Sequence, residues 1–187
     1  LGIANFKMFK YTEAINFYFK SLKLKEEAKD KKGTLSTLIN IGAIYQRQAN
    51  YDEAIRFYQR AAATAEKLND TTSLAASLQN MGETLIEQKK YRQALKALSK
   101  AADIFIKSKN YIDLVSTYIN MGIVYRSLGK LGDELKMYEA GKAIAEKQKL
   151  QQELGVCLQN TGEALLKARK YGPALEHLQK AVTLLEK

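Results

Sequence analysis

Apolar residues recur along the chain at the spacing of one helix face. Leu38, Ile41, Gly42 and Tyr45 stand at i, i+3, i+4 and i+7, the stripe of an amphipathic helix. A break at Ala49-Asn50 follows, and a second helical stretch carries Ala54, Ile55, Tyr58, Ala61 and Ala62. Breakers return at Asn69-Asp70, as they do over 30–33 and at Asn110. No segment alternates as a strand does. The phrase LINIGAIYQRQANYDEAI, which begins at Leu38, comes back as LQNMGETLIEQKKYRQAL, YINMGIVYRSLGKLGDEL and LQNTGEALLKARKYGPAL, each 40 residues after the last. Gly2, Gly42, Gly82, Gly122 and Gly162 keep that spacing without insertion or deletion. A fixed period of this length marks a repeat protein.

Two helices per repeat cannot bury their apolar stripes alone, so the repeats must stack. The sequence therefore predicts an all-α, right-handed superhelical solenoid of antiparallel helix pairs. It has about five units (1–34, 35–74, 75–114, 115–154 and 155–187), the first and last incomplete, in a single domain over 1–187. The chain opens inside a repeat, which reads as a piece of a longer protein. Glycine inside a helix costs roughly 1 kcal/mol relative to alanine. The small residues that recur with it (Gly42/Ala54/Ala61, Gly82/Ala94/Ala101, Gly162/Ala174/Ala181) suggest a compensation, a close approach of helix backbones. The fourth unit departs from its siblings. LGKLGDELKMYEAGKA puts Leu131 where tyrosine is usual, Glu134 in one alanine position and Gly141 in the other. A displaced or less regular helix over 132–149 is expected there.

A large apolar residue, then Leu-Gly or Met-Gly, then tyrosine three further on, then Tyr-x-x-Ala, Tyr and Ala resembles the tetratricopeptide repeat (TPR). The period of 40, against about 34 in the common form, is similar to the longer variant of kinesin light chain, polarity adaptors and bacterial signalling arrays. The resemblance implies a non-catalytic scaffold whose concave groove carries a ladder of asparagines for an extended peptide.

Composition changes this picture little. Of the 187 residues, 46% are hydrophobic and 27% charged, ordinary for a globular chain, and no apolar run approaches the ~20 residues of a membrane span. A single cysteine, Cys157, excludes an internal disulfide. The net charge of +10 fits an acidic partner, a polyanion or a solubilising surface. Lysines gather at Lys20, Lys23, Lys25, Lys29, Lys31 and Lys32, near the first hairpin.

Candidate chemistry is sparse. Ten of the eleven tyrosines fall on repeat positions, all but Tyr111, and read as packing residues. His177, the one histidine, lacks a partner for metal or catalysis and reads as solvent-facing. Cys157 reads as a packing residue, since no base accompanies it. Every recurrent glycine is inside a helix, so there is no phosphate loop. No enzyme, cofactor or metal is expected.

The asparagines stand apart. Asn40, Asn80, Asn120 and Asn160 recur two residues before each glycine. At 100° per residue they point away from the apolar stripe. Asparagine is a poor helix former, yet its amide both donates and accepts, as a bound peptide group requires. With helices about 8–10 Å apart and a strand rising about 3.3 Å per residue, successive asparagines would meet every third ligand residue. The same face carries Arg47, Glu83, Glu87 and Glu163, with Arg126 beside it. The expected function is thus a protein-interaction scaffold of a signalling or adaptor protein that binds an extended peptide. The candidate contacts are Asn40, Asn80, Asn120, Asn160, Arg47, Glu83, Glu87, Arg126 and Glu163. A polyanion-binding role, toward nucleic acid or acidic lipid, through the basic first hairpin is the alternative, with nucleic acid not favoured as a partner. The partly apolar chain ends allow end-to-end self-association. The chaperone type of carboxylate clamp does not fit, because Ser36, Ile39, Ala76 and Gln79 occupy the positions where its basic residues would stand.

Overall fold

The computed structural model describes residues 11–186. These residues form helices joined by short links, with no strand among them: α1 (Tyr11–Glu27), α2 (Lys31–Arg47), α3 (Tyr51–Leu68), α4 (Thr71–Glu87), α5 (Tyr91–Ser108), α6 (Tyr111–Ser127), α7 (Leu131–Gln148), α8 (Gln151–Lys167) and α9 (Tyr171–Leu185). Helices of 17 and 18 residues alternate from α2 to α7. The helix pairs begin at Lys31, Thr71, Tyr111 and Gln151, four residues ahead of the unit boundaries expected from the apolar pattern.

Helix caps are visible in the backbone. Every link holds one residue in the left-handed region, at 29, 49, 69, 89, 109, 129, 149 and 169, of which only Gly129 is a glycine. At the end of α2 the Ala49 N–H donates to the Gln46 carbonyl and the Asn50 N–H to the Tyr45 carbonyl, which satisfies the carbonyls a helix end leaves open. The residue that closes one helix then opens the next. The side chains of Asp30, Asp70 and Asn110 accept from the backbone N–H groups of Gly33, Ser73 and Asp113, the capping bond that short polar residues supply.

Contacts divide the chain into two compact units, between Ala97 and Leu98 within α5. In the first, α1 to α4 pack in sequence, and the first helices of successive pairs, α2 and α4, also touch. Its core gathers Leu22, Leu35, Leu38, Ile41, Phe57, Ala61 and Ala65. In the second, α6 to α9 pack in sequence, and α6 touches α8. Val115, Ala145 and Cys157 form a buried cluster there, flanked by Ile119, Ile144, Leu150 and Leu154.

The glycines do face a close neighbour, but its nearest atoms belong to a side chain rather than a backbone. A Cβ on Gly42 would lie 2.7 Å from Cε1 of Tyr58, and one on Gly122 would overlap the ring of Tyr138. On Gly162 the neighbour is Leu178, at 2.6 Å. Each glycine is a socket for the residue sixteen positions later. The anticipated irregularity at 132–149 is absent: α7 runs 18 residues, as α3 and α5 do. Gly132 has open space around it and no positive φ, so it does not disturb the helix start. On α9, Ala181 is buried while Val182 and Leu185 are half exposed. The opening residues 1–10, including Gly2, lie outside the described part.

Gly42→Ala should lower stability by about 1–2 kcal/mol. Overpacking against the buried Tyr58 ring costs about 1–3 kcal/mol, and the helix-propensity gain of roughly 1 kcal/mol only partly offsets it. Gly132→Ala should be neutral or stabilising by up to about 1 kcal/mol; urea denaturation of both variants measures the contrast. Asp70→Ala should cost about 1 kcal/mol through loss of its cap, with a set pH dependence. The backbone and hydroxyl hydrogen bonds from Ser73 hold the Asp70 carboxyl below its ordinary value. A depressed folded value gives stability that is fully present above the unfolded pKa of about 3.9 and fades as pH falls through the folded one. The gap between wild type and variant should therefore be constant from neutral pH to about pH 5 and close in stronger acid, as thermal melts across that range would record.

Candidate functional site

The face of α2 and α4 opposite their buried stripes is built from repeat positions. Ser36, Asn40, Ala43 and Arg47 on α2 and Ala76, Asn80, Glu83 and Glu87 on α4 are all exposed or half-buried, while Leu38 and Ile41 on the other side of α2 are sealed. Ala43, Gln46, Arg47, Tyr51, Tyr58, Asn80, Glu83 and Glu87 line a pocket of about 430 Å³. The structure thus brings Arg47, Asn80, Glu83 and Glu87 together in the first unit. Asn40 lies half-buried on α2.

Four lining residues, Ala43, Gln46, Tyr51 and Tyr58, were not among the candidate contacts read from sequence. Tyr58 reaches the pocket because Gly42 lets its ring lie against α2. Its hydroxyl then donates to Oε1 of Gln46 at 2.9 Å. Burial, and after it the charge of Glu83, push the Tyr58 phenol above its ordinary pKa, with Arg47 opposing. The hydroxyl therefore remains a donor across the working pH range. The Glu83 carboxylate accepts from Nε2 of Gln79 at 3.2 Å. Tyr58 and Tyr138 are buried packing residues as expected, whereas Tyr171 is exposed, and Tyr58 also forms a pocket wall. The signal was the sixteen-residue step from glycine to tyrosine at Gly42/Tyr58 and Gly122/Tyr138.

The second unit uses the equivalent positions differently. Arg126 on α6 donates from Nε to Oε1 of Glu134 at 2.6 Å and from Nη1 to Oε2 of Glu163 at 3.3 Å. Its Nη2 reaches both the backbone oxygen and Oδ1 of Asn160, each at 3.3 Å. The guanidinium carbon sits 5.6 Å from the ring centre of Tyr138, within cation–π range. Asn160 also donates to the Val156 carbonyl at 2.9 Å, and Gln159 donates to the second oxygen of Glu163 at 3.1 Å. Burial opposes the charge on Arg126. The Glu134 hydrogen bond and the neighbouring negative groups outweigh it and hold the guanidinium above its usual pKa. Three candidates, Arg126, Asn160 and Glu163, are thus tied to one another.

This network explains why Glu134 does not disorder α7. The equivalent Ala14, Ala54, Ala94 and Ala174 are fully buried, and Glu134 is only 4% exposed. A carboxylate there would be costly alone, and Arg126 supplies its counter-charge and donor.

Asn120 is half-buried on α6. His177 is half-buried rather than solvent-facing, and it lines a pocket of about 340 Å³ with Leu154, Leu158 and Leu184 among others. Cys157 is fully buried; burial first, then the charges of Glu153 and Glu139, push its thiol up to about 12 with Lys142 opposing, which suits packing and not nucleophilic attack. Among the lysines of the first hairpin, Lys25 has a structural task, donating to Thr37 Oγ1 at 2.9 Å. No helix among the described residues is long and apolar enough to cross a membrane.

A family model described as tetratricopeptide repeat matches residues 1–67 and 73–147. The chain belongs to the tetratricopeptide repeat family. The fold of solved TPR-like structures agrees. BtubC (BKLC) from P. vanneervenii is 19% identical, with 98% of this chain and 76% of that one covered, at a TM-score of 0.87. The TPR-like repeats of a putative kinesin light chain from Podosopora anserina are 14% identical over 98% of this chain and 91% of that one, at 0.83. A Rap protein solved in complex with competence and sporulation factor is 18% identical, with 100% of this chain and 53% of that one covered, at 0.78. At these identities the likeness is one of fold, an all-helical TPR solenoid. No match is found among curated proteins. TPR arrays are protein-interaction scaffolds and are typically non-catalytic, and this TPR chain is read as one.

Arg126→Gln should destabilise the second unit by about 3 kcal/mol, because it strands Glu134 as a buried charge. Adding Glu134→Ala recreates the Gln46/Ala54 combination of the first unit and should restore stability to within about 1 kcal/mol of wild type. Chemical denaturation midpoints of the single and double variants provide the check.

Proposed function

We propose that this TPR chain binds an extended peptide segment of another protein along the open faces of its first helices, as a module of a signalling or adaptor protein and without catalysis of its own. The observation that carries this reading is the pocket of the first unit. Its walls come largely from the repeat positions opposite the buried stripe, and it joins two amides, two carboxylates, a guanidinium and two tyrosines. Such a surface suits a ligand with peptide groups and charged side chains. Asn80 offers a donor and an acceptor in one amide, and its half-buried place strengthens any hydrogen bond it makes. In the second unit Asn160 is already committed to Val156 and Arg126, so the first unit is the better-prepared one.

A second reading keeps one observation of its own. Glu26, Lys29, Lys31, Thr34, Thr64 and Lys67 line a separate pocket of about 310 Å³, in which three lysines outnumber one carboxylate. Binding of a polyanion there would fall steeply with salt as counterions are released, whereas hydrogen-bonded peptide in the α2–α4 pocket would be held at moderate salt.

Asn80→Ala should leave folding nearly intact, since alanine is the better helix former, and weaken peptide binding by about 1–3 kcal/mol, the penalty for an unsatisfied ligand peptide group. Calorimetric titration of wild type and variant with ten-residue peptides selected from a displayed library measures it. Unchanged affinity in the folded variant, or binding lost at moderate salt and on reversing Lys29, Lys31 and Lys67, would move the site to the lysine pocket.

A further inference from the structure

We propose that the first-unit pocket takes the guanidinium of a ligand arginine, a specificity that rests on the peptide-binding reading above. The two units supply an internal comparison, because residues 80 positions apart occupy the same repeat position. The pocket residues Gln46, Tyr58, Asn80 and Glu83 correspond to Arg126, Tyr138, Asn160 and Glu163. In the second unit that set already holds a guanidinium: Arg126 contacts Asn160 through its backbone oxygen and Oδ1, contacts Glu163, and lies over the Tyr138 ring. The first unit keeps the asparagine, glutamate and tyrosine, but has the shorter, neutral Gln46 where the arginine stands. It also has open volume of about 430 Å³.

Charge points the same way. Across these positions the second unit balances two cations, Arg126 and Lys167, against two carboxylates, Glu134 and Glu163. The first unit has two carboxylates, Glu83 and Glu87, and one cation, Arg47. It is one positive charge short of its sibling, and an arginine from the ligand restores the balance. Glu83 already accepts from Gln79; its counterpart Glu163 accepts from Gln159 and from Arg126 together, so one partner does not exclude another. The carbonyl of Gln46 accepts from the Tyr58 hydroxyl and has a second lone pair for a ligand N–H. Arginine is favoured over lysine because its planar fork can bridge a carboxylate and an amide oxygen and lie against an aromatic ring at once.

The test uses the whole chain and two kinds of probe. N-acetyl-arginine methylamide, its lysine analogue and its uncharged citrulline analogue are titrated against labelled protein and followed by NMR. Arginine should give saturable shifts at Asn80 and Gln46 side-chain amides, lysine weaker ones and citrulline none. Gln46→Arg, which supplies the missing guanidinium from within, should abolish them, and Glu83→Gln should weaken them about tenfold or more. In parallel, ten-residue peptides carrying one central arginine, lysine, citrulline or glutamate are titrated calorimetrically. Arginine peptides should bind about tenfold or more tightly than citrulline ones, an advantage that Gln46→Arg erases. Equal response to arginine and citrulline, or arginine shifts that survive Gln46→Arg, would overturn the arginine pocket even if peptides bind through Asn80. Arginine shifts with no binding of any peptide would support the pocket and overturn the extended-peptide reading instead.

Discussion

The contact on which both units depend is a ring seated on a glycine. Without a Cβ at Gly42 the Tyr58 ring lies directly against α2, and the same holds for Tyr138 on Gly122. The ring fills the space between paired helices, as a close-packed interior requires, and this offsets the helix penalty of the glycine. The consequence reaches beyond packing. A ring held so close to the first helix delivers its polar end to the opposite face of the pair, where Tyr58 meets Gln46 and Tyr138 underlies Arg126. The residue that closes the core also builds the floor of the candidate site, so the site inherits the rigidity of the core.

The same geometry accounts for the most irregular sequence in the chain. Glu134 stands in a slot where its four equivalents are buried alanines. A carboxylate could be accepted there only with a positive partner close at hand. Arg126 is placed to be that partner because it stands on the first helix at the position of Gln46, next to the tyrosine ring. The two departures from the repeat are therefore one change, a charge and its counter-charge introduced together. Glu134 alone would have left an uncompensated ion in a poorly hydrated place, whereas Arg126 has Glu163 as a further partner. The glycines of that stretch do no harm: Gly129 occupies a left-handed link position that suits it, and Gly132 touches nothing.

The architecture was legible because a 40-residue period written four times leaves little freedom. Apolar spacing marked every helix, and small residues marked the tight positions. Helix starts show through the recurrent breakers rather than the apolar spacing: Asp30, Asp70 and Asn110, 40 residues apart, cap the helices that follow. The partner of the glycines was misread: spacing along the chain locates a gap but does not say which neighbour fills it. The open face was legible through its asparagines, and Arg47, Asn80, Glu83 and Glu87 do meet in one pocket. Gln46 and Tyr58 escaped notice because each belongs to a pattern with another explanation, an exposed helix end and a core ring. Arg126 stood among the candidates as a ligand contact, and only the three-dimensional pairing with Glu134 reveals that it serves the fold as well.

Repeats make such pairings informative, since each unit is an experiment on the same backbone with different side chains. Where the second unit spends Asn160 and Glu163 on its own arginine, the first places Asn80 and Glu83 beside open volume. A pocket whose sibling is filled from within carries an image of its own complement. The neutral amide of Gln46 is then not a bland substitute for arginine. It withholds the internal cation, keeps the tyrosine hydroxyl in place, and leaves two carboxylates and one guanidinium lining the pocket.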